Sequence, residues 1–233
     1  MKRVINIVED EKDINNLVAQ YLRKEGYEVH SYYTYEEASA HVVDDDVHLW
    51  ILDIMLDDKS GFDLIEEIRL QGPETPVIFM SARDKEFDRI IGLEKGCDDY
   101  ITKPFSPSEL TARVDAIYRR VCMSFIKDEN SLSVVESGPF VLNLKSRTVS
   151  KNGVPIDLTQ VEYQILEYFM KNKNTALDRS SILNHIWGES YYGDDKIVDV
   201  NIRRIRMKIE EEPSNPRYIM TIWGYGYKWN DVK

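Results

Sequence analysis

The run Leu49-Trp-Ile-Leu-Asp53-Ile-Met-Leu-Asp57-Asp58-Lys-Ser-Gly61-Phe-Asp63 sets a carboxylate directly behind an apolar segment, with further aspartates close by. Glu9, Asp10 and Glu11 likewise follow the apolar run Arg3–Val8, Ser81 follows Val77–Met80, and Lys103 follows Asp99–Thr102, with Pro104 next. Two or three carboxylates without histidine or cysteine are hard oxygen ligands, suited to Mg2+. A carboxylate beside such an ion can attack phosphorus and form an acyl phosphate. The metal and a lysine would stabilise the transferring oxygens, which is most of what phosphoryl transfer requires. A serine hydroxyl can hydrogen-bond the new phosphate. At any one position, a polar residue capping a strand explains the sequence as well. Four strand ends carrying mutually consistent chemistry favour a pocket.

For these residues to meet, the apolar runs must be neighbouring parallel strands, because ligands bind beyond the carboxyl ends of an open parallel sheet. The patterning supports this. Arg3–Val8, Tyr27–Tyr32, Leu49–Leu52, Val77–Met80 and Asp99–Thr102 read as strands. Ile14, Leu17, Val18, Tyr21 and Leu22 follow helical spacing, and Gly26 suits a left-handed end to that helix. Further helices are predicted over Tyr35–Val43, Phe62–Leu70, Glu86–Lys95 and Pro107–Val121, the last with proline in its first turn. Strand–helix alternation with apolar strands means a sheet covered on both faces.

The 233 residues allow one or two domains. The net charge of −11 resides in residues 1–121, which hold 15 Lys/Arg and 26 Asp/Glu, whereas 122–233 hold 15 of each. Charge in the second half therefore has to be judged by where it clusters. Cys97 and Cys122 form neither a disulfide framework nor a zinc site and read as packing residues. No long apolar run indicates a membrane span. Met-Lys-Arg opens like a signal peptide, but Asn6, Glu9, Asp10 and Glu11 interrupt what would be its apolar region. A cytoplasmic protein with no membrane partner is expected.

Met123–Ser137 lacks periodicity and reads as a linker, giving expected boundaries of 1–121, 122–137 and 138–233. Beyond it come two short strands, Phe140–Leu144 and Arg147–Ser150, an Asn152-Gly153 turn, and helices near Thr159–Asn172, Arg179–Trp187 and Lys196–Glu210. Arg217–Trp229 reads as a hairpin around Gly224 and Gly226. In Lys196–Glu210, Val198, Ile202, Ile205 and Ile209 form one stripe; Lys196, Val200, Arg203 and Met207 lie opposite, flanked by Arg204 and Arg206. A helix buried on one side and bearing arginine on the other can enter the major groove, where arginine reads guanine. A solvated charged face is the simpler reading of such a helix alone; two preceding helices and a glycine-rich hairpin favour a winged helix.

The first half resembles the receiver domain of bacterial two-component response regulators. The likeness rests on Val8-Glu9-Asp10-Glu11, Leu52-Asp53-Ile-Met-Leu56 with Gly61, Val77-Ile-Phe-Met-Ser81-Ala82, and Asp98-Asp99-Tyr100-Ile-Thr-Lys103-Pro104-Phe105. It implies a five-stranded doubly wound, flavodoxin-like α/β sheet. It makes Asp53 the phosphoacceptor, and Glu9, Asp10, Asp53 and the Met55 backbone carbonyl the Mg2+ ligands. Ser81 becomes the switch hydroxyl, Tyr100 the aromatic that moves with it, and Lys103 the phosphoryl contact ahead of a cis proline. Asp57 stands where the family keeps proline; it is either a solvated loop acid or a modifier of phosphate lifetime.

The second half resembles the winged helix-turn-helix domain of the OmpR/PhoB class. The matches are Leu158-Thr159 with Glu162 and Leu166, Ile182-Leu183 with Trp187, Val198-Asp199-Val200 with Ile202, Arg204, Arg206 and Lys208, and Thr221-Ile-Trp-Gly224-Tyr-Gly226-Tyr227. The resemblance implies double-stranded DNA as a partner. It assigns base contact to Arg204 and phosphate contacts to Arg203 and Arg206, with Arg179, Trp187 and Thr221. Lys196 and Asn201 replace other family residues and can still touch phosphate. Trp223 replaces the wing arginine; it either packs inward or meets DNA as an apolar group. Glu189–Asp195 becomes a loop that meets RNA polymerase.

The class also implies a homodimer on phosphorylation, pairing Arg89 with Glu109, Asp99 with Arg113 and Asp98 with Arg120 across copies, around Ile90 and Leu93. Asp115 departs from that pattern. The expected function is a transcription regulator switched by phosphoryl transfer from a sensor histidine kinase. Two rivals stand beside it: a regulator that works without phosphate, and a metal-dependent phosphohydrolase using Asp53. Met55, where such hydrolases commonly place an acid, counts against the second.

Overall fold

The computed structural model describes residues 3–231 apart from 45, 58, 73, 83–90, 124–133, 189–190 and 192–194, with backbone alone at 119–123. The chain divides into two compact units, Met1–Ile117 and Tyr118–Lys233.

In the first unit β1 (Val4–Val8), β2 (Glu28–Tyr32), β3 (Val47–Asp53), β4 (Val77–Ser81) and β5 (Asp99–Thr102) pair in parallel in the order β2-β1-β3-β4-β5. Every residue of β1 and β4 is buried, as the unbroken apolar runs predict. The chain leaves β1 for β2 on one side and β3 on the other, so a crevice opens at the carboxyl ends of β1 and β3.

Helices α1 (Lys12–Lys24), α2 (Tyr35–Ser39), α3 (Gly61–Gln71) and α4 (Pro107–Met123) connect the strands, and residues 91–94 are helical. Gly26 closes α1 at φ +90°. The Asn15 amide of α1 donates to the carbonyls of Glu9 (3.1 Å) and Tyr32 (2.9 Å), tying the ends of β1 and β2 together beside the crevice. Ser60 and Asp63 form a capping box that starts α3. The predicted Tyr35–Val43 helix stops at Ser39; the following turns include β-branched Val42 and Val43. Of the helix predicted over Glu86–Lys95, residues 86–90 lie outside the described residues.

The second unit holds a four-stranded antiparallel sheet, β6 (Val134–Ser137), β7 (Phe140–Asn143), β8 (Thr148–Lys151) and β9 (Val154–Ile156). The expected linker is thus too long at its end, since Val134–Ser137 pairs with β7. Its Val134-Val135 pair is the β-branched signal. Asn152 and Gly153 both take positive φ, 53° and 80°, so the turn they form adds β9, a strand not predicted.

Helices α5 (Gln160–Lys171), α6 (Arg179–Trp187) and α7 (Lys196–Ile209) follow, with β10 (Ala176–Asp178), β12 (Gly226–Trp229) and β11 (Ile219–Ile222) forming a three-stranded sheet in that order. Phe140, Tyr218 and Trp229 meet at ring distances of 4.7–5.9 Å and close the core on the strand side. This is the helical layout and hairpin of a winged helix. Cys97 is buried, as expected of a packing residue.

Candidate functional site

Asp53 ends β3 and is buried. Its Oδ1 accepts from the Met55 backbone N–H (3.0 Å), and its Oδ2 accepts from Lys103 Nζ (2.6 Å). Lys103 lies just past β5 and is also 2.6 Å from Glu9 Oε2; the Lys103–Pro104 bond is cis. Glu9, just past β1, is fully buried, and its Oε1 has no hydrogen-bond partner among the described residues. Oxygens of Glu9, Asp10 and Asp53 all come within 4.8 Å of one another, with Asp10 half-buried.

A buried carboxylate oxygen lacking a donor is costly unless something cationic completes it. Three hard oxygen donors around that atom fit a Mg2+ ion. The electrostatics agree. Burial, opposed by the Lys103 hydrogen bond and reinforced by the Asp53 charge, pushes the Glu9 carboxyl up to about 7. Burial pulls the Lys103 ammonium down, but its hydrogen bonds to Asp53 and Glu9 outweigh that, so it stays above the ordinary lysine value and charged.

The other predicted receiver residues lie on the neighbouring strands β4 and β5. Ser81 is fully buried at the end of β4, and its carbonyl accepts from the Lys103 N–H (2.8 Å). Tyr100 is buried on β5, opposite Phe79 of β4. The loop from Ile54 to Ser60 is closed by Gly61 N–H to the Ile54 carbonyl (2.9 Å), Ser60 Oγ to the same carbonyl (3.2 Å) and a Met55–Ser60 bridge. That closure sets Met55 next to Asp53. Asp57 is exposed and Asp63 belongs to the capping box; Asp58 lies outside the described residues.

The expected dimer residues fare differently. Asp98 is buried, ion-pairs with Arg69 (2.9 Å) and accepts from the Val77 N–H, which makes it an internal staple and not an interface charge. Asp99 and Arg113 are both buried and pair within one chain (3.0 Å), with Glu109 bonded to the same arginine (2.8 Å). Leu93 is buried in its own unit and offers no apolar surface. Asp115, the departure, accepts a hydrogen bond from the Tyr27 hydroxyl. Arg89, Ile90 and the Arg120 side chain lie outside the described residues.

On α7, Val198, Ile202, Ile205 and Ile209 are buried as the stripe predicts. Lys196, Arg203 and Met207 are exposed, but Val200 on that face is buried. Three expected DNA contacts are corrected. Asn201 is fully buried and its amide bonds back to the Ile197 carbonyl (2.8 Å). Trp187 is a core residue at 1 % exposure. Arg204, assigned base contact, ion-pairs with Glu162 of α5 (2.8 Å), a fully buried carboxylate that Lys208 also contacts (2.7 Å). That flank of α7 is packed, which leaves Arg203 as the helix's outward arginine.

Arg206 is spent on the hairpin: it donates to the Ile219 carbonyl (3.0 and 2.7 Å) and to Thr221 Oγ1 (2.8 Å). Arg179 pairs with Asp199 (2.7 Å), which also accepts from the Tyr227 hydroxyl (2.7 Å). Trp223 is 92 % exposed at the hairpin tip, which rules out inward packing. The loop expected over Glu189–Asp195 is described only at Tyr191 and Asp195.

A difference between adjacent arginines follows. Arg204→Ala removes one of two cations from a buried carboxylate and should destabilise the second unit by about 2 kcal/mol. Arg203→Ala, on the exposed face, should cost less. Thermal melts of the two variants check this; equal melting temperatures would return Arg204 to the surface.

Residues 5–115 match the family model of the response regulator receiver domain, and residues 153–229 match that of the C-terminal domain of transcriptional regulatory proteins. The chain is 40% identical to the sensory transduction protein RegX3 of Mycolicibacterium smegmatis over 222 residues, covering 95% of this chain and 96% of that one. It is likewise 40% identical over 224 residues to RegX3 of Mycobacterium tuberculosis, with the same shares covered. Among solved structures, the response regulator DrrB of Thermotoga maritima, an OmpR/PhoB homologue, aligns over 99% of this chain and all of its own at 32% identity and a TM-score of 0.53. A RitR mutant, C128D, shares the fold at a TM-score of 0.79 and 23% identity, over 99% of this chain and all of its own.

Proposed function

Because the chain belongs to the two-component response regulators that join a receiver to an OmpR/PhoB-type DNA-binding domain, we propose that Asp53 accepts a phosphoryl group from a sensor histidine kinase and thereby switches DNA binding. The observation that carries this is the meeting of Glu9, Asp10 and Asp53 oxygens within 4.8 Å, with Lys103 2.6 Å from two of those carboxylates. The chain is a phosphoacceptor and not an enzyme with a separate substrate.

An Asp53 carboxylate oxygen bonds to phosphorus as the bond from phosphorus to the donor's histidine nitrogen breaks, and that electron pair leaves with the nitrogen. Glu9, Asp10, Asp53 and the Met55 carbonyl would hold Mg2+, which supplies positive charge against the phosphoryl oxygens. Lys103, already cationic, exchanges its bond to Asp53 for one to a phosphoryl oxygen. Ser81 hydrogen-bonds the new phosphate and Tyr100, already buried, repacks with it, shifting a two-state equilibrium. The phosphorylated form dimerises and sets two copies of α7 on adjacent half-sites, which raises affinity by avidity. A dimer through β5 and α4 exchanges the in-chain Asp99–Arg113 pair for one between copies. Arg203, Lys196, Arg179 and Thr221 face DNA, and the 189–195 loop meets RNA polymerase. The site lies in the cytoplasm with the kinase's transmitter.

The full chain, incubated with acetyl phosphate, should be labelled with Mg2+ present and not in EDTA; equal labelling in EDTA would sink the metal-assisted reading. Glu9 supplies an independent check. Its carboxyl is raised from 4.5 to about 7, so the metal-free fold gains nothing from its ionisation. The stability that the protonated carboxyl gives the fold is fully present below about 4.5 and is lost as pH rises through about 7. In EDTA the receiver should melt lower at pH 8 than at pH 6, Mg2+ should narrow the gap, and Glu9→Gln should shrink both effects. A Mg2+ response of equal size in Glu9→Gln would place the ion elsewhere.

A further inference from the structure

The loop from Ile54 to Ser60 carries Met55, whose N–H donates to Asp53 Oδ1 (3.0 Å) and whose carbonyl belongs to the proposed Mg2+ set. No proline stiffens residues 54–60, and Met55, Asp57 and Lys59 are exposed. The closures at Ile54, Met55, Ser60 and Gly61 lie within the loop and the start of α3. One further contact reaches across to α2. Lys59 Nζ sits over the Tyr35 ring, 4.0 Å from its centroid. Tyr35 opens α2 and is 5 % exposed. Its hydroxyl donates to Glu67 Oε1 on α3, and Ser39 Oγ donates to the other oxygen of that carboxylate (2.7 Å). The Tyr35 hydrogen bond, with Ser39 and the Lys59 charge, holds the Glu67 carboxyl below its ordinary value against burial. Burial, reinforced by the bond to Glu67, pushes the Tyr35 hydroxyl up to about 12, so it stays a donor. The start of α2 is itself fixed. Thr34 Oγ1 accepts from the Glu37 N–H (3.2 Å), and Glu37 Oε2 accepts from the Tyr33 N–H (2.8 Å).

We infer that Tyr35 and Lys59 are positioning residues for the phosphoacceptor: their cation–π contact tethers the loop to α2 and so holds Met55 against Asp53. This deepens the reading of Asp53 as a metal-assisted phosphoacceptor and rests on it. Lys59 immediately precedes Ser60, which is bridged to Met55 and donates to the Ile54 carbonyl (3.2 Å). A displacement of Lys59 is therefore passed to Met55 through a single residue. The ring suits this task. A phenol that donates to a carboxylate carries extra electron density on its faces, so Glu67 strengthens the hold of Tyr35 on the ammonium. A lysine that merely rested on the nearest ring would leave the Mg2+ response of the site where it is.

The test uses the full chain and two readouts over a Mg2+ titration: the rate of acetyl phosphate labelling at Asp53, and the rise in receiver melting temperature. Lys59→Ala should need about threefold more Mg2+ for the half-maximal effect in both, the worth of an exposed cation–π contact. Lys59→Arg keeps a cation over the ring and should recover most of that loss. Tyr35→Phe keeps the ring face and drops the bond to Glu67, so it should melt lower yet shift the Mg2+ midpoint less than Tyr35→Leu. The double variant Lys59→Ala/Tyr35→Leu should match Tyr35→Leu alone, because both substitutions remove the same contact. Lys59 is exposed, so Lys59→Ala should melt with wild type in EDTA, which separates loss of position from loss of fold. A Lys59→Ala midpoint equal to wild type, or additive shifts in the double variant, would overturn the inference. Should wild type take no label at Asp53, the phosphoacceptor reading falls, and the melting titration alone decides the tether.

Discussion

Asp53→Ala abolishes Mg2+-dependent labelling of the full chain by acetyl phosphate, whereas Asp57→Ala and Asp63→Ala retain it. Loss of the reacting group removes the bond-forming atom, so the fall is of several orders of magnitude, not a partial one. The neighbours have other occupations. Asp57 is exposed, and Asp63 caps α3 through the Ser60 N–H. Of these three aspartates, Asp53 alone is buried, with its two oxygens on the Met55 N–H and the Lys103 ammonium. The substitution also relieves repulsion of Glu9, so the fold should persist, which far-UV circular dichroism would verify. Intact-mass measurement reads the labelling. Wild-type labelling in Asp53→Ala would move the phosphoacceptor to another side chain.

Gly61→Ala should be nearly as damaging without touching a reacting group. A Cβ built at Gly61 lies 2.0 Å from the Asp53 carbonyl oxygen, 3.0 Å from its carbon and 3.2 Å from Ile54 Cα. These are backbone atoms that cannot swing aside, so either α3 or the end of β3 must shift. The shift costs the Gly61-to-Ile54 hydrogen bond (2.9 Å) and disturbs the Ser60–Asp63 cap. A destabilisation of about 3 kcal/mol is expected for overpacking of this kind. Misplacement of Asp53 by about 1 Å should slow labelling by roughly a hundredfold. Urea melts and labelling rates read the two effects separately. A variant that matches wild type in both would mean the loop relaxes around the methyl group, and that its closure does not position Asp53.

The receiver site was legible because each of its residues directly follows an apolar run, and a parallel sheet converts that one-dimensional rule into a place. Glu9, Asp53, Ser81 and Lys103 needed only the strand ends to be right. The α7 surface was harder. Helical spacing found the stripe through Val198 and Ile209, but it left the width of the buried arc open. Ile197 on the Arg204 flank was the available signal that α7 is covered there, and Glu162, read only as a family match, turned out to be the buried carboxylate that binds Arg204. Asp98 was misplaced, and the in-chain partner of Asp99 unforeseen, for a related reason. A sequence shows charges but not partners at long separation, and Arg69 and Arg113 claim both aspartates inside one chain. Strand Val134–Ser137 was missed because four residues among polar neighbours carry too little pattern without their partner β7.

The central claim is that phosphoryl chemistry at Asp53 controls the DNA affinity of the second unit. The most direct measurement is the affinity of the full chain for one selected duplex at fixed salt, before and after acetyl phosphate with Mg2+, in wild type and Asp53→Ala. The account predicts that phosphorylation tightens binding by wild type by about tenfold or more, the scale of avidity from a second half-site, and leaves Asp53→Ala unchanged. Equal affinity of phosphorylated and unphosphorylated wild type, with labelling at Asp53 confirmed on the same sample, would contradict it.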